Sequence, residues 1–418
     1  MLDHSPDSTP DERRTSGPLE RDAWCADGLG VYVHFPYCLQ KCPYCDFLSL
    51  PAERNAIPHR QYADAVLAEL SRRAPELDSL PLRSIFFGGG TPSLWDTREL
   101  GRVLEAIRSR FPRGREPEIT VECNPSSFDA QIATELRAVG VNRISLGVQS
   151  LNAQRLAFLG RLHDANGAFA ALRAAHAAGF PEISADLIFG VAGESASEAA
   201  EEVGAIAEAG VTHLSAYALT IEPGTQFGEL ARRGRLPLLG EDAVAESFRV
   251  VERTLEARGF AHYEISNYAR PGSEAQHNLG YWRGLPYLGL GTGAWGTVPC
   301  GARRLRYRNT PSAERYLAWA SEAAPPRLDA TSAFVSVVEE LSPEVALREQ
   351  LMLGLRLSEG LDWAAAERRT GATLWTRERR RAAEKWLERG ALRLEPTNRL
   401  RLERSYWLLA DGILAELI

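Results

Sequence analysis

The sequence predicts an α/β fold: a partial, TIM-like (β/α)6 barrel of parallel strands, followed by a smaller, mainly helical C-terminal domain. Three observations predict it. Short apolar runs alternate with longer amphipathic segments from Gly30 onward, six such units in about 200 residues. The residue types that carry chemistry fall at the C-terminal ends of those runs, where parallel α/β folds build their sites because the loops converge there. After about residue 310 the texture changes to Pro-rich and then charge-laced helical sequence. A doubly wound sheet shares the alternation and stands as the alternative.

Residues 1–27 are polar and rich in Pro, Asp and Ser, and read as a disordered extension. The barrel is expected over residues 28–305. Its strands are Val31–Phe35, Ser84–Phe87, Ile119–Glu122, Arg143–Val148, Ile183–Phe189 and His213–Leu219, apolar runs of strand length. Between them Tyr62–Arg73, Arg98–Phe111, Ala130–Val139, Ala168–Ala178 and Glu198–Ala209 repeat apolar residues with a helical period. The segments Cys38–Cys45, Gly88–Pro92, Glu122–Pro125, Gln149, Asp186 and Gly190 sit at or just past strand ends. The second domain is expected over residues 310–418. Ala324-Pro-Pro-Arg327 introduces helical sequence from Pro343 to Gly390, then strand-like Ala391–Leu394 and Arg399–Leu402 and a last helix to Ile418.

Composition narrows the class. The 418 residues carry a net charge of −7, which opposes a generic nucleic-acid binder. Arginine supplies nearly all positive charge, since Lys41 and Lys385 are the only lysines. The basic run Arg377–Arg381 reads as the wet face of a helix. No apolar run reaches the ~18 residues of a spanning helix. The opening MLDHSPDSTPDERR lacks the apolar core of a secretory signal, so a cytoplasmic protein is expected.

Of 6 cysteines, Cys25, Cys123 and Cys300 stand alone and read as packing residues. The other three form Cys38-x3-Cys42-x2-Cys45. Pro43 opposes a helix there, and a loop can wrap three thiolates around one inorganic centre. Iron–sulfur clusters usually take four cysteines, so three would leave one iron open for a ligand. A structural zinc site with His34 as fourth ligand, or a disulfide, are the alternatives.

The pattern resembles the radical S-adenosylmethionine (SAM) superfamily. It is carried by the cysteine motif after the strand Val31–Phe35 and by Gly88-Gly-Gly-Thr-Pro92. Within the superfamily the chain is similar to the coproporphyrinogen-oxidase-like branch, through Tyr32-Val-His-Phe-Pro, Phe86-Phe-Gly-Gly-Gly-Thr-Pro-Ser, Ser145-Leu-Gly-Val-Gln-Ser, Asp186-Leu-Ile-Phe-Gly and Ser215-Ala-Tyr-Ala-Leu-Thr-Ile-Glu-Pro-Gly-Thr. The resemblance covers most of the chain. It implies a radical SAM barrel with a 4Fe–4S cluster on Cys38, Cys42 and Cys45, whose open iron chelates the amino and carboxylate groups of SAM. An electron from the cluster can then yield a 5′-deoxyadenosyl radical. It also implies that Tyr32, Tyr44, Gly89, Gly90, Thr91, Glu122, Gln149, Arg161 and Asp186 line the SAM region. Glu122 and Asp186 are apt acceptors for ribose hydroxyls. As residues alone they also read as helix caps, and Arg161 as a solvated cation.

Two details divide the branch. Its catalytic oxidases carry a further cysteine two residues after the third; here that position is Phe47. The radical SAM haem chaperones show phenylalanine there together with a His-Asn-x-x-Tyr-Trp motif, present here as His277, Asn278, Tyr281 and Trp282. The resemblance implies haem contact at those four residues. Imidazole is a common axial ligand and aromatic rings lie against a porphyrin; His262 and His213 are alternative ligands. A satisfied loop histidine and a core tryptophan is the plainer alternative. Trp295 stands where the family often has histidine.

The expected function is therefore a haem chaperone that binds haem and delivers it to respiratory haem proteins. Any membrane contact would be transient, and a homodimer is left open. The rivals are an oxygen-independent coproporphyrinogen III oxidase, a radical methyltransferase and a structural zinc protein. Enzymatic turnover is left open.

Overall fold

The structure, a computed structural model, describes residues 24–112, 114–300, 303–321 and 335–418. Most of the expected N-terminal extension and the Ala324–Arg327 stretch lie outside the described residues. Trp24 and Cys25, at the end of that extension, are buried in the main core.

The six barrel strands are β1 (Leu29–Phe35), β2 (Leu82–Gly89), β3 (Glu118–Cys123), β4 (Arg143–Gln149), β5 (Glu182–Phe189) and β6 (His213–Ala218). They pair in sequence order and all in parallel. The order never reverses, as a doubly wound sheet would require, so the partial-barrel expectation holds. Beyond β6 lie β7 (Ala261–Glu264) and β8 (Asn267–Ala269), with β8 antiparallel to β6. Beyond β1 lies β9 (Tyr287–Leu290), parallel to it. The antiparallel β10 (Trp295–Cys300), β11 (Arg303–Asn309) and β12 (Val335–Glu340) follow. The 12-stranded sheet runs β12-β11-β10-β9-β1-β2-β3-β4-β5-β6-β8-β7, with β12 and β7 as its edges.

The two-residue period of a strand separates two surfaces. Outward go Val31, Val33, Phe35, Ile85, Phe87, Ile119, Val121, Ile144, Leu146, Ile183, Ala185, Leu214 and Ala216, all buried. Against them pack Tyr62, Val66 and Leu70 from helix His59–Arg73, and Leu100, Val103, Leu104 and Ile107 from Thr97–Arg110. At ~1.5–3 kcal/mol for each large buried side chain, this layer dominates stability. Inward go Tyr32, His34, Ser84, Thr120, Glu122, Ser145, Ser184, Asp186, His213, Ser215 and Tyr217, a polar set that makes the lumen a place for a ligand. Several helices leave the same end of the sheet through side-chain caps, with Asp96, Asp129, Asp164 and Ser195 accepting first-turn amides.

The chain stays with the main sheet further than residue 305. Helix Ala313–Ser321 sends Tyr316 and Trp319 into the first core, and β12 completes the sheet. A second core begins at Leu347 and ends at Leu417. It gathers helices Pro343–Gly354, Trp363–Thr370, Arg377–Glu388 and Ala410–Leu417 around a small antiparallel sheet of Leu361–Asp362, Arg399–Leu402 and Leu392–Glu395. Arg379 corrects the reading of its run as a wet face. It lies four residues from buried Ala383, on the inner side of its helix, and is held by Glu344 and the carbonyls of Leu417 and Leu374. Ion pairs Arg283–Glu359 (2.9 Å) and Arg369–Asp27 (2.8 Å) tie the two bodies together.

Candidate functional site

The thiol loop grows directly from β1. Tyr37–Cys38 pairs in parallel with Leu50–Pro51, which closes residues 38–50 into a loop over the C-terminal end of the barrel. Within it the Cys45 amide donates to the Cys42 carbonyl at 3.2 Å, the turn that Pro43 enforces. The three thiols are unpaired with one another, which removes the disulfide alternative. Burial raises the Cys38 and Cys45 thiols above their ordinary pKa. A cation in their midst would reverse that shift.

The glycine loop after β2 locks onto the same segment. Gly90 N–H donates to the Phe35 carbonyl (2.7 Å) and Thr91 N–H to that of Tyr37 (2.9 Å). No side chain fits there. Gly89 has φ +113°, and a Cβ on it would lie 2.4 Å from the His34 ring; a Cβ on Gly90 would lie 2.6 Å from the Pro36 carbonyl oxygen. Backbone and thiols therefore share one wall.

Opposite stand the acidic strand ends. Glu122, at the end of β3, accepts the Gly89 N–H at 3.0 Å. Burial, helped by repulsion from Asp186, pushes its carboxyl up to about 7. Burial likewise raises Asp186, although the hydroxyls of Ser215 and Ser145 (3.1 Å) favour its charged form. These contacts displace the helix-cap alternative, because both carboxylates face the lumen. Gln149 holds φ +67°, a left-handed backbone in a non-glycine residue. Its turn is pinned by Glu202, which accepts from Ser150 Oγ and Leu151 N–H (both 2.9 Å) and from Arg155 (2.6 Å). Arg161 is not a solvated cation: it donates to the Gly147 carbonyl at 2.7 Å and to Cys42 Sγ at 3.6 Å. Its buried Nε has no partner.

These groups enclose a cavity of about 160 Å³ lined by Cys38, Cys42, Cys45, Tyr44, Gly89, Gly90, Thr91, Glu122, Gln149, Arg161 and Asp186. Tyr32 stands one layer below, its hydroxyl on His34 Nδ1 at 2.9 Å and its ring 6.2 Å from that of Phe86. The residues fit an iron–sulfur cluster with a zwitterionic, hydroxyl-bearing cofactor beside it. Three thiols meet a glycine cradle, an orphaned guanidinium nitrogen and two carboxylates. Among the described residues no three His, Cys, Asp or Glu side chains converge tightly enough for a single ion; a polynuclear cluster sets its thiolates farther apart. His34 is taken up by Tyr32 and the Leu48 carbonyl (2.8 Å), which counts against it as a zinc ligand. Tyr217, Ser145, Ser215 and Gly160 also belong to the site, though their residue types in sequence carry no signal of it. Tyr217 lines the cavity and donates to Gln149 at 3.4 Å, and Gly160 accepts from Cys42 Sγ at 3.8 Å.

The expected haem residues lie elsewhere. Helix Gln276–Trp282 plugs the opposite end of the barrel. His277 is 1% exposed, with Nδ1 on Ser84 Oγ and Nε2 on the Tyr281 hydroxyl, both at 2.8 Å. Ser84 precedes Gly89 by five residues, about 16 Å of strand. Burial holds the imidazole neutral, far below its usual pKa. Trp282 packs with Tyr263, Leu279 and Leu357, and Asn278 is half-buried on the same helix. These four residues form a floor that closes the lumen, with both ring nitrogens of His277 satisfied within the protein. The alternatives are equally engaged: His213 by Ser184 (2.7 Å) and Tyr263 (2.8 Å), His262 by Glu252 (2.8 Å) and the Tyr268 ring.

A six-stranded parallel barrel with three thiols, a glycine cradle and acidic strand ends at one mouth defines a radical SAM protein. The Radical SAM superfamily model matches residues 32–206, and the HemN C-terminal domain model matches residues 341–409. Heme chaperone HemW of Mycobacterium tuberculosis is 36% identical over 391 residues, 93% of this chain and 95% of that one. Heme chaperone HemW of Escherichia coli is 40% identical over 271 residues, 65% of this chain and 70% of that one. The solved coproporphyrinogen III oxidase HemN of E. coli superposes with a TM-score of 0.76 at 20% identity, covering 98% and 95% of the two chains, a likeness of fold. The chain belongs to the HemW family.

Proposed function

We propose that this chain is a haem chaperone: it binds haem and hands it to respiratory haem proteins from the cytoplasm. The observation that carries the reading is the 36% identity to a protein named heme chaperone over 93% of the chain. Phe47 supports it. At the position of the oxidases' further cysteine, its ring is 60% exposed at the cavity mouth and offers no proton or electron. Cys38, Cys42 and Cys45 would hold a 4Fe–4S cluster, and Gly89, Gly90, Thr91, Glu122, Gln149, Arg161 and Asp186 would hold SAM. When bound, that pair supplies one-electron chemistry. The chain's own part is to bind and shield: Arg161 offsets thiolate charge at Cys42, Glu122 and Asp186 offer acceptors to hydroxyls, and the strained Gln149 turn keeps the far wall in place. No helix among the described residues is long and apolar enough to cross a membrane, so a meeting with membrane-bound acceptors would be transient.

The test is an anaerobic haem titration of the cluster-reconstituted chain, followed by absorbance. Saturable binding is expected, and no vinyl product should form from coproporphyrinogen III with SAM and a reductant. Vinyl product would instead make the chain an oxidase, and a methylated product a methyltransferase.

A further inference from the structure

With the rings of His277, His213 and His262 all engaged inside the protein, a large flat ligand such as haem finds more room on an exposed surface. The antiparallel extension of the sheet supplies one. Residues directly opposite across antiparallel strands share a face, and Trp295, Arg308 and Val337 are opposite one another on β10, β11 and β12. Thr297, two residues from Trp295, is paired with Tyr287 of β9. Tyr287 stands edge-on to Tyr281 at 4.7 Å, in the lumen. The row is therefore a continuation of the barrel's inner surface. It also meets the site's mouth: the turn after β9 touches the thiol loop, where a Cβ on Gly293 would fall 2.3 Å from Leu48, the neighbour of Phe47.

Three arginines alternate on β11 and face this surface, with different partners. Arg304 lies over Trp24 at 3.9 Å and donates to the Arg369 carbonyl. Arg306 is paired with Glu339 and Glu349. Arg308 lies 5.5 Å from the Trp295 ring centroid. Among the described residues no carboxylate pairs with it, and its buried Nε has no hydrogen-bond partner. Trp295 itself is 39% exposed. An uncommitted guanidinium beside an open indole fits a planar apolar ring that carries carboxylates.

We propose that haem docks on this inner face, its ring against Trp295 and a propionate on Arg308, beside the mouth of the thiol cavity. The proposal rests on the haem-binding reading and adds the surface that does the binding. Tryptophan at position 295 then supplies contact area where an imidazole would supply a ligand.

The test is anaerobic titration of the cluster-loaded full chain with haem and with its dimethyl ester, for wild type, Arg308→Gln and Trp295→Ala. Arg308→Gln is expected to weaken haem about tenfold, the size of one charge-assisted hydrogen bond, and to leave the ester's affinity unchanged. Trp295→Ala should weaken both ligands. Cluster absorbance should be unchanged in both variants. If Trp295→Ala fails to keep its cluster, Trp295→Phe takes its place and should bind both ligands as wild type does. Haem affinity equal to wild type in Arg308→Gln and Trp295→Ala would overturn the site while leaving the chaperone reading intact. An equal loss for haem and ester in Arg308→Gln would show a structural role and overturn it too. No saturable haem binding by wild type would sink both readings together.

Discussion

Replacing Glu122 by glutamine should strengthen the fold and weaken the site. In the cofactor-free chain, burial and Asp186 push this carboxyl from 4.5 to about 7. At 1.36 kcal/mol per pH decade, ionising it inside the lumen costs about 3 kcal/mol. The sign follows from linkage. A carboxyl whose folded pKa is raised contributes stability that is present below 4.5 and lost as pH rises through about 7. Glutamine cannot ionise and still accepts the Gly89 N–H. Glu122→Gln should therefore match wild type near pH 4 and exceed it by up to about 3 kcal/mol at pH 8.5. Glu194 and Glu264, also raised to about 7 chiefly by burial, titrate in both proteins and cancel in the difference. SAM affinity should move the other way, by about 10-fold to 100-fold, because a charged acceptor is lost. The assay is urea denaturation of the cofactor-free chain at both pH values, with calorimetric titration of SAM into the cluster-loaded protein. A variant less stable than wild type at pH 8.5, or one that binds SAM equally well, would refute the reasoning.

Gly89→Ala should destabilise the chain by about 3 kcal/mol, since φ +113° and the His34 ring at 2.4 Å both oppose a methyl group; thermal melting checks this, and an unchanged midpoint would contradict the cradle. His277→Ala should cost about 3 kcal/mol by orphaning the Ser84 and Tyr281 hydroxyls, with haem affinity retained wherever the variant is folded. A stable variant that loses haem would restore His277 as a ligand. Because the folded imidazole is held far below its usual pKa, its contribution is present above about 6.5 and lost as pH falls, so His277→Gln should flatten acid unfolding. Glu202→Ala leaves Arg155 its pairs with Glu194 and Glu198 but removes the acceptor of the Ser150 hydroxyl and the Leu151 N–H, and should cost about 2 kcal/mol, read by denaturation.

The barrel was legible in sequence because each strand is a local apolar run and each loop at its end carries a distinctive residue. Val31–Phe35 and Arg143–Val148 fall within a residue or two of the observed strands, and the thiol, glycine and carboxylate groups meet as expected. The extension was not legible. Trp295–Cys300 and Arg303–Asn309 are short, Gly- and Arg-laced segments whose strand character comes from pairing with one another and with β9. Ser145, Ser215 and Tyr217 sit in ordinary strands, and only the register of neighbouring strands turns them inward. The fate of His277 depends on Ser84, 193 residues away. A motif shows which residues recur together, whereas free ring nitrogens are a matter of tertiary contacts.

A chaperone must release its haem as well as bind it. Cluster-loaded protein carrying one haem, mixed anaerobically with an apo haem protein of the respiratory type, should lose its haem absorbance as the acceptor gains its own, and coproporphyrinogen III should remain unchanged under the same conditions. Haem that stays on this chain, with vinyl groups appearing in coproporphyrinogen, would contradict the account.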